Sequence, residues 1–165
     1  MSAPGAVHVR AIGRTDLPRV WEMVRGLAEY ERMSEILTGD LARLERALFG
    51  SPPQLFGAVA GGGAGLVGYA LWHFTYSSFR TNPRMWLEDL FVDESARGSG
   101  AGEALLAAFV RDALAHGCHR VDWHVLAWNP ARAFYEKLGA TPSADDMIQY
   151  GLDAEAMKQL LERGR

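Results

Sequence analysis

The chain has 165 residues, 48% hydrophobic and 22% charged, the balance of one soluble globular domain, and at this length folding can remove roughly 70% of the unfolded surface from water without disulfide or metal staples. Its single cysteine, Cys118, excludes an internal disulfide framework and a four-cysteine zinc site, and suits a reducing cytoplasm. Seventeen Lys and Arg against twenty Asp and Glu leave a net charge of −3, which supplies no broad basic field for a nucleic-acid backbone, and no apolar run approaches the ~20 residues that span a bilayer.

Taken in chain order, Val7, Val9 and Ala11 alternate with His8 and Arg10, the period of a half-buried strand that Gly13 ends. Thr15 or Asp16 can cap the helix that follows, in which Val20, Met23, Val24, Leu27 and Ala28 recur at helical spacing. A second helix is predicted from Thr38, with Leu41, Leu44, Ala47 and Leu48 on one side, and it stops at Gly50–Pro53. Leu55–Ala60 and Leu66–Tyr76 flank the turn Gly61–Gly65 and read as a hairpin. Arg84–Asp93 is a strand that runs into the loop Glu94–Gly102. Leu105, Leu106, Phe109, Val110, Ala113 and Leu114 then mark a helix that stops at His116 and Gly117. His119–Leu126 reads as another strand. A short helix opens at Asn129 and Pro130 and closes at Gly139, Met147–Leu152 reads as a last strand, and a polar-faced helix covers Asp153–Arg163. This order predicts a single α/β domain with an antiparallel first half and one parallel crossover. No repeat or low-complexity tract interrupts it.

Two stretches compete as phosphate loops. Gly63-Ala64-Gly65-Leu66-Val67-Gly68 spells G-x-G-x-x-G, but strand-like residues follow it where a dinucleotide site needs a helix N-terminus, so it reads as a hairpin turn. Arg97-Gly98-Ser99-Gly100-Ala101-Gly102 lies between a strand and an amphipathic helix. It lacks the G-K-[ST] ending of a nucleotide-hydrolysing loop, yet its backbone N–H groups can surround a pyrophosphate without a metal. The same stretch also suits a flexible βα loop of small residues.

Arg97-x-x-Gly100-x-Gly102 after the strand WLEDLFV resembles the pyrophosphate signature of the Gcn5-related N-acetyltransferases. Asn129 to Gly139 (NPARAFYEKLG) is similar to that family's second signature near the C-terminus. AEYERM at Ala28–Met33, HFTY at His73–Tyr76, WLEDLFV at Trp86–Val92 and LAWN at Leu126–Asn129 carry the resemblance further, to the diamine acetyltransferase subfamily that acts on spermidine, spermine and thialysine. It extends from Val9 to about Leu160. The resemblance implies a mixed, mostly antiparallel sheet splayed between two central strands, helices on both faces, acetyl-CoA in the cleft between Trp86–Val92 and Val121–Leu126, and a homodimer.

Acetyl transfer to an amine needs a neutral nitrogen, a fixed thioester, an oxyanion donor and a proton for the leaving thiolate. With an alkylammonium pKa near 10.4, only about one amine in a few thousand is nucleophilic at neutral pH, so a base is required. Glu88 lies among Trp86, Leu87, Leu90 and Phe91, where part-burial would lift its pKa. Adjacent strand residues face opposite sides, so Glu88 and Asp89 share the cleft only across a bulge, and the resemblance favours Glu88 as the base, through water. It also implies Tyr135 as the general acid beside the coenzyme sulfur. Asn129 caps its own helix or bonds the pantetheine arm, or does both through different atoms. The backbone of Leu90, Phe91 and Val92 can pair with the pantetheine amides, with the Leu90 N–H as oxyanion donor, and residues 97–102 (Arg97, Gly98, Ser99, Gly100, Ala101, Gly102) hold the pyrophosphate.

For the amine, the resemblance implies Tyr30, Glu31 and Asp145, where carboxylates and an aromatic face suit a polycation. Two positions depart from the subfamily: Ala127 stands where an acidic residue precedes the Trp-Asn pair, and Met147 replaces a tryptophan. Both weaken the case for a long polyamine and leave the coenzyme half intact. The histidines at 8, 73, 116, 119 and 124 have no ligand spacing, so no metal is expected. A small-molecule amine is the implied partner, with neither nucleic acid nor membrane. The competing readings are an acyl-CoA-binding sensor without turnover, another acyl donor, and a protein or peptide amine as acceptor.

Overall fold

The computed structural model describes residues 7–142 and 149–163. The chain divides into two compact units, residues 1–126 and 127–165. The first carries an α/β fold: strand β1 (His8–Ala11), helices α1 (Leu17–Tyr30) and α2 (Leu41–Phe49), strands β2 (Phe56–Gly62), β3 (Gly65–Ser77) and β4 (Asn82–Val92), helix α3 (Ala101–Ala115) and strand β5 (Val121–Asp122). The second holds two helices, α4 (Ala131–Lys137) and α5 (Ala154–Arg163).

The sheet order is β1-β2-β3-β4-β5. The first four strands pair antiparallel and β5 joins β4 in parallel after the α3 crossover, as the chain order predicts. Alternation along β3 divides the two faces. Tyr69 and Leu71 enter a core with Val20 and Met23 of α1, Leu48 of α2 and Val59 of β2. On the other face the Trp72 ring lies 5.7 Å from Phe109 of α3, and its Nε1 donates to Asp112 at 2.7 Å. Helices therefore cover both faces.

Several boundaries differ from the sequence reading. Asp16 occupies the N-cap position of α1 without bonding a helix amide; it accepts from the Gly13 N–H at 2.7 Å and is bridged by Arg10 at 2.8 Å, so the charge partner outcompetes the capping role. Helix α2 starts at Leu41 and not at Thr38, because the extended Asp40 places its carboxylate on the Arg43 N–H at 2.8 Å.

The predicted strand His119–Leu126 forms ladder pairs only at Met85↔Val121 and Trp86↔Asp122, pinned by ion pairs from Arg84 and Arg120 to Asp122. Beyond Trp86 the two strands part. Because β5 ends the sheet among the described residues, the splay lies between β4 and an edge strand. The predicted last strand is not found over Gln149–Leu152, which is irregular and exposed around Gly151; Met147 and Ile148 lie outside the described residues.

Candidate active site

A bulge in β4 organises the carboxylates. Leu71 pairs with Asp89 but Trp72 pairs with Leu87, so Glu88 is the extra residue and opposes nothing on β3. The bulge undoes strict alternation, and it brings Glu88 and Asp89 to one face in different surroundings. Glu88 extends outward with 55% of its side chain exposed, and its Oε2 lies 3.5 Å from Nε2 of His73. Asp89 is half-buried and accepts from the Tyr69 hydroxyl at 3.1 Å.

Burial, with the charges of Glu88 and Glu31 adding to it, pushes the Asp89 carboxyl up to about 6, while the Tyr69 bond pulls the other way. The Tyr69 phenol is itself pushed well above its ordinary value, first by burial and then by Asp89. The expected burial of Glu88 is thus not met: the bulge expels that side chain, and the desolvated carboxyl is its neighbour.

The free edge of β4 follows from the same register. Asp93 N–H donates to Val67 at 2.8 Å, toward β3, so alternation turns the backbone groups of Val92 and Leu90 to the opposite edge, which has no ladder partner among the described residues beyond Trp86. Phe91 instead sends its ring toward α1, and a Cβ added at Gly26 would lie 3.3 Å from it. The Val92 carbonyl accepts from Arg97 Nε at 3.4 Å.

From there the chain enters the glycine loop. Gly98 and Gly100 have φ of +79° and +87°, a conformation that costs other L-residues about 1–2 kcal/mol. Gly100 caps α3, Ser99 Oγ accepts from the Ala101 N–H at 3.4 Å, and Gly102 lies in the first helical turn. The N–H groups of Gly98, Gly100, Gly102 and Glu103 find no acceptor among the described residues. They sit at the positive end of a fifteen-residue helix dipole.

Tyr30 and Glu31 end α1. The Tyr30 ring carries the Arg97 guanidinium 4.9 Å from its centroid, so a residue assigned to the amine and one assigned to the coenzyme touch directly. Glu31 is half-buried, and burial raises its carboxyl above the usual range.

In the second unit, Asn129 is buried and its Oδ1 accepts from the Ala131 N–H at 2.9 Å, the capping role. Tyr135 is buried in α4, edge-on to Phe134 at 5.1 Å. Asp145 lies outside the described residues. Among the described residues no three His, Cys, Asp or Glu side chains are grouped to hold a metal ion, and no helix is long and apolar enough to cross a membrane.

Sequence reasoning missed three contacts: His73 on Glu88, Tyr69 on Asp89, and Arg97 on Tyr30. The first two depend on the bulge register, for which Asp89 next to Glu88 in an apolar strand was the only signal.

A mixed sheet whose ladder stops beside a glycine loop opening a helix offers an open strand edge next to an anion-binding helix N-terminus. Residues 20–140 match the family described as "Acetyltransferase (GNAT) family", and the chain belongs to that family, whose enzymes use acetyl-CoA as co-substrate. It is 31% identical to the thialysine N-epsilon-acetyltransferase of Sus scrofa over 94% of this chain and 97% of the relative. It is 30% identical to the protein of that name from Mus musculus, over 96% and 99%. Among solved structures, an integron cassette protein from the mobile metagenome of V. cholerae superimposes with a TM-score of 0.75 at 23% identity, covering 95% of this chain and 98% of that one.

Proposed function

We propose that this chain transfers an acetyl group from acetyl-CoA to the primary amine of a small molecule, a diamine, polyamine or lysine-like amine, by direct attack in a ternary complex without a metal. The observation that carries this is the free edge of β4 running into the loop at 97–102, whose unpaired N–H groups suit a pyrophosphate. Residues 97–102 hold that group and the backbone of Leu90–Val92 receives the pantetheine amides as an added strand would. The Leu90 N–H faces the developing oxyanion.

Glu88 accepts the ammonium proton and Tyr135 protonates the departing thiolate, a phenol near pKa 10 being suited to that task. Asn129 keeps its Nδ2 for the pantetheine arm while its oxygen caps α4. Glu31, with Tyr30 and Asp145, receives the cationic acceptor, in keeping with the names of the mammalian relatives. We place the enzyme in the cytoplasm as one domain that forms a homodimer, a reading supported by the lone Cys118 and by the resemblance to the diamine acetyltransferases.

Thiol release from acetyl-CoA across diamines, lysine analogues, amino sugars and peptides tests this reading. Release with a small amine is expected, and silence across the panel contradicts it. Tyr135→Phe is expected to lower kcat by about 10²-fold or more with little change in acetyl-CoA affinity; full activity would remove Tyr135 from the acid role.

A further inference from the structure

We infer that His73 is the positioning residue that completes Glu88 as a proton acceptor, receiving the proton that the carboxylate takes from the acceptor ammonium and passing it to solvent. The inference rests on the reading of Glu88 given above. It starts from a mismatch of hydrogen-bonding groups. His73 Nδ1 lies 3.3 Å from the carbonyl of Phe74, an acceptor, so the ring hydrogen is assigned to Nδ1 and the neutral imidazole turns a bare Nε2 toward Glu88. Two acceptors, Nε2 and Oε2, then face each other at 3.5 Å. The pair lacks one hydrogen, and one added proton satisfies both sides.

The bulge makes the meeting possible. His73 pairs with Trp86 in the ladder, and the extra residue in β4 sends the Glu88 side chain back toward it. The His73 side chain is 35% exposed, which gives the proton a way out. Asp89 cannot serve as that outlet, because it is half-buried and committed to the Tyr69 hydroxyl. Of the neighbouring titratable groups, Asp89 on β4 is coupled to Glu88, and it is coupled in turn to Tyr69 on β3 and Glu31 on α1. His116, which caps the C-terminal end of α3, meets the Phe74 ring, and Asp112 bonds Trp72 on the opposite face. A cation formed at His73 thus faces the Glu88 carboxylate.

The protons balance. The substrate ammonium gives one proton to Glu88, which hands it to Nε2, and the imidazolium releases it to water. The amine nitrogen bonds to the thioester carbon, the C–S bond breaks with its electron pair going to sulfur, and sulfur takes a proton from Tyr135. The new amide nitrogen loses its remaining excess proton, which restores Tyr135. One proton leaves per turnover, and the products are an amide and free coenzyme A.

The test is kcat/KM against pH, from about 5.5 to 8.5, for the parent, His73→Gln, and His73→Asn, whose side-chain amide keeps a donor for the Phe74 carbonyl and lacks the ring nitrogen facing Glu88. Both variants are expected to lose about 10-fold or more at pH 7.5 with acetyl-CoA KM unchanged, and the loss is expected to shrink as the pH falls toward 5.5. His73→Gly is expected to regain activity with added imidazole. An active parent whose profile the variants reproduce, or a loss equal at every pH that imidazole does not relieve, overturns the inference and leaves the acetyltransferase reading standing. A parent that releases no thiol with any amine defeats that reading, and this inference with it.

Discussion

Gly61–Gly68 and Arg97–Gly102 are both glycine-rich and serve opposite ends. In the first, glycine makes room for backbone: a Cβ added at Gly61 would lie 2.5 Å from the Gly65 carbonyl, and one at Gly68 would lie 2.8 Å from the Phe91 carbonyl. In the second, a Cβ at Gly98 or Gly100 meets nothing within 4 Å, and glycine is needed for the positive φ that turns N–H groups to one spot. The lesson is that a glycine pattern acquires chemistry from the element it opens. The hairpin uses Gly61 and Gly68 for close packing, and the βα loop uses Gly98 and Gly100 to leave space.

Alanine substitutions separate the two uses, and the largest effect belongs to the packed side. Gly57 lies in β2, where an added Cβ falls 2.6 Å from the Ala70 carbonyl and 2.6 Å from Ile12 Cδ1. Gly57→Ala is expected to cost about 1–3 kcal/mol or more in urea unfolding, with coenzyme affinity of the folded fraction unchanged. Gly100→Ala is expected to cost about 1–2 kcal/mol through its φ and, unlike Gly57→Ala, to weaken acetyl-CoA binding in a direct titration. Equal affinity in both variants would erase the distinction.

Between the two stretches, Asp89 on β4 adds a pH signature. Its folded pKa of about 6 exceeds the unfolded value, so the folded state holds the extra proton and stability falls as pH rises from about 4 to 6. Asp89→Asn is expected to match the parent near pH 4 and exceed it by about 1–2 kcal/mol at pH 8, after allowance for solvent screening of a half-buried group. A difference that grows toward acid would reverse the assignment. The smallest effect is Gly63→Ala, at a position with open space and no positive φ, expected within about 0.5 kcal/mol of the parent.

How far the sequence carried the fold depended on periodicity. The hairpin, β4, α3 and α4 were legible because apolar spacing and turn residues agreed in each. Strand β5 was not, because the alternation of Val121, Trp123 and Val125 describes side chains, whereas a ladder needs a partner edge, and β4 diverges after Trp86. Helix α1 showed a similar limit: Asp16 has the chemistry of a cap, but Arg10, six residues away, takes it.

At the site, the loop and the β4 edge were legible as a strand-loop-helix context. The environments of the two carboxylates were not, since one unpaired residue decides which is buried. The bulge was named as the condition for bringing Glu88 and Asp89 to one face, but nothing in a single strand's sequence sets the register against its neighbour.

The central claim is that the backbone of residues 97–102 receives a diphosphate beside an open strand edge. Isothermal titration of acetyl-CoA and of coenzyme A into the purified protein tests it most directly. One site per chain is predicted, with a dissociation constant between about 1 μM and 1 mM, weakened in Gly100→Ala and unchanged in Gly63→Ala. No association of either compound at millimolar concentration, with the protein folded, would contradict it.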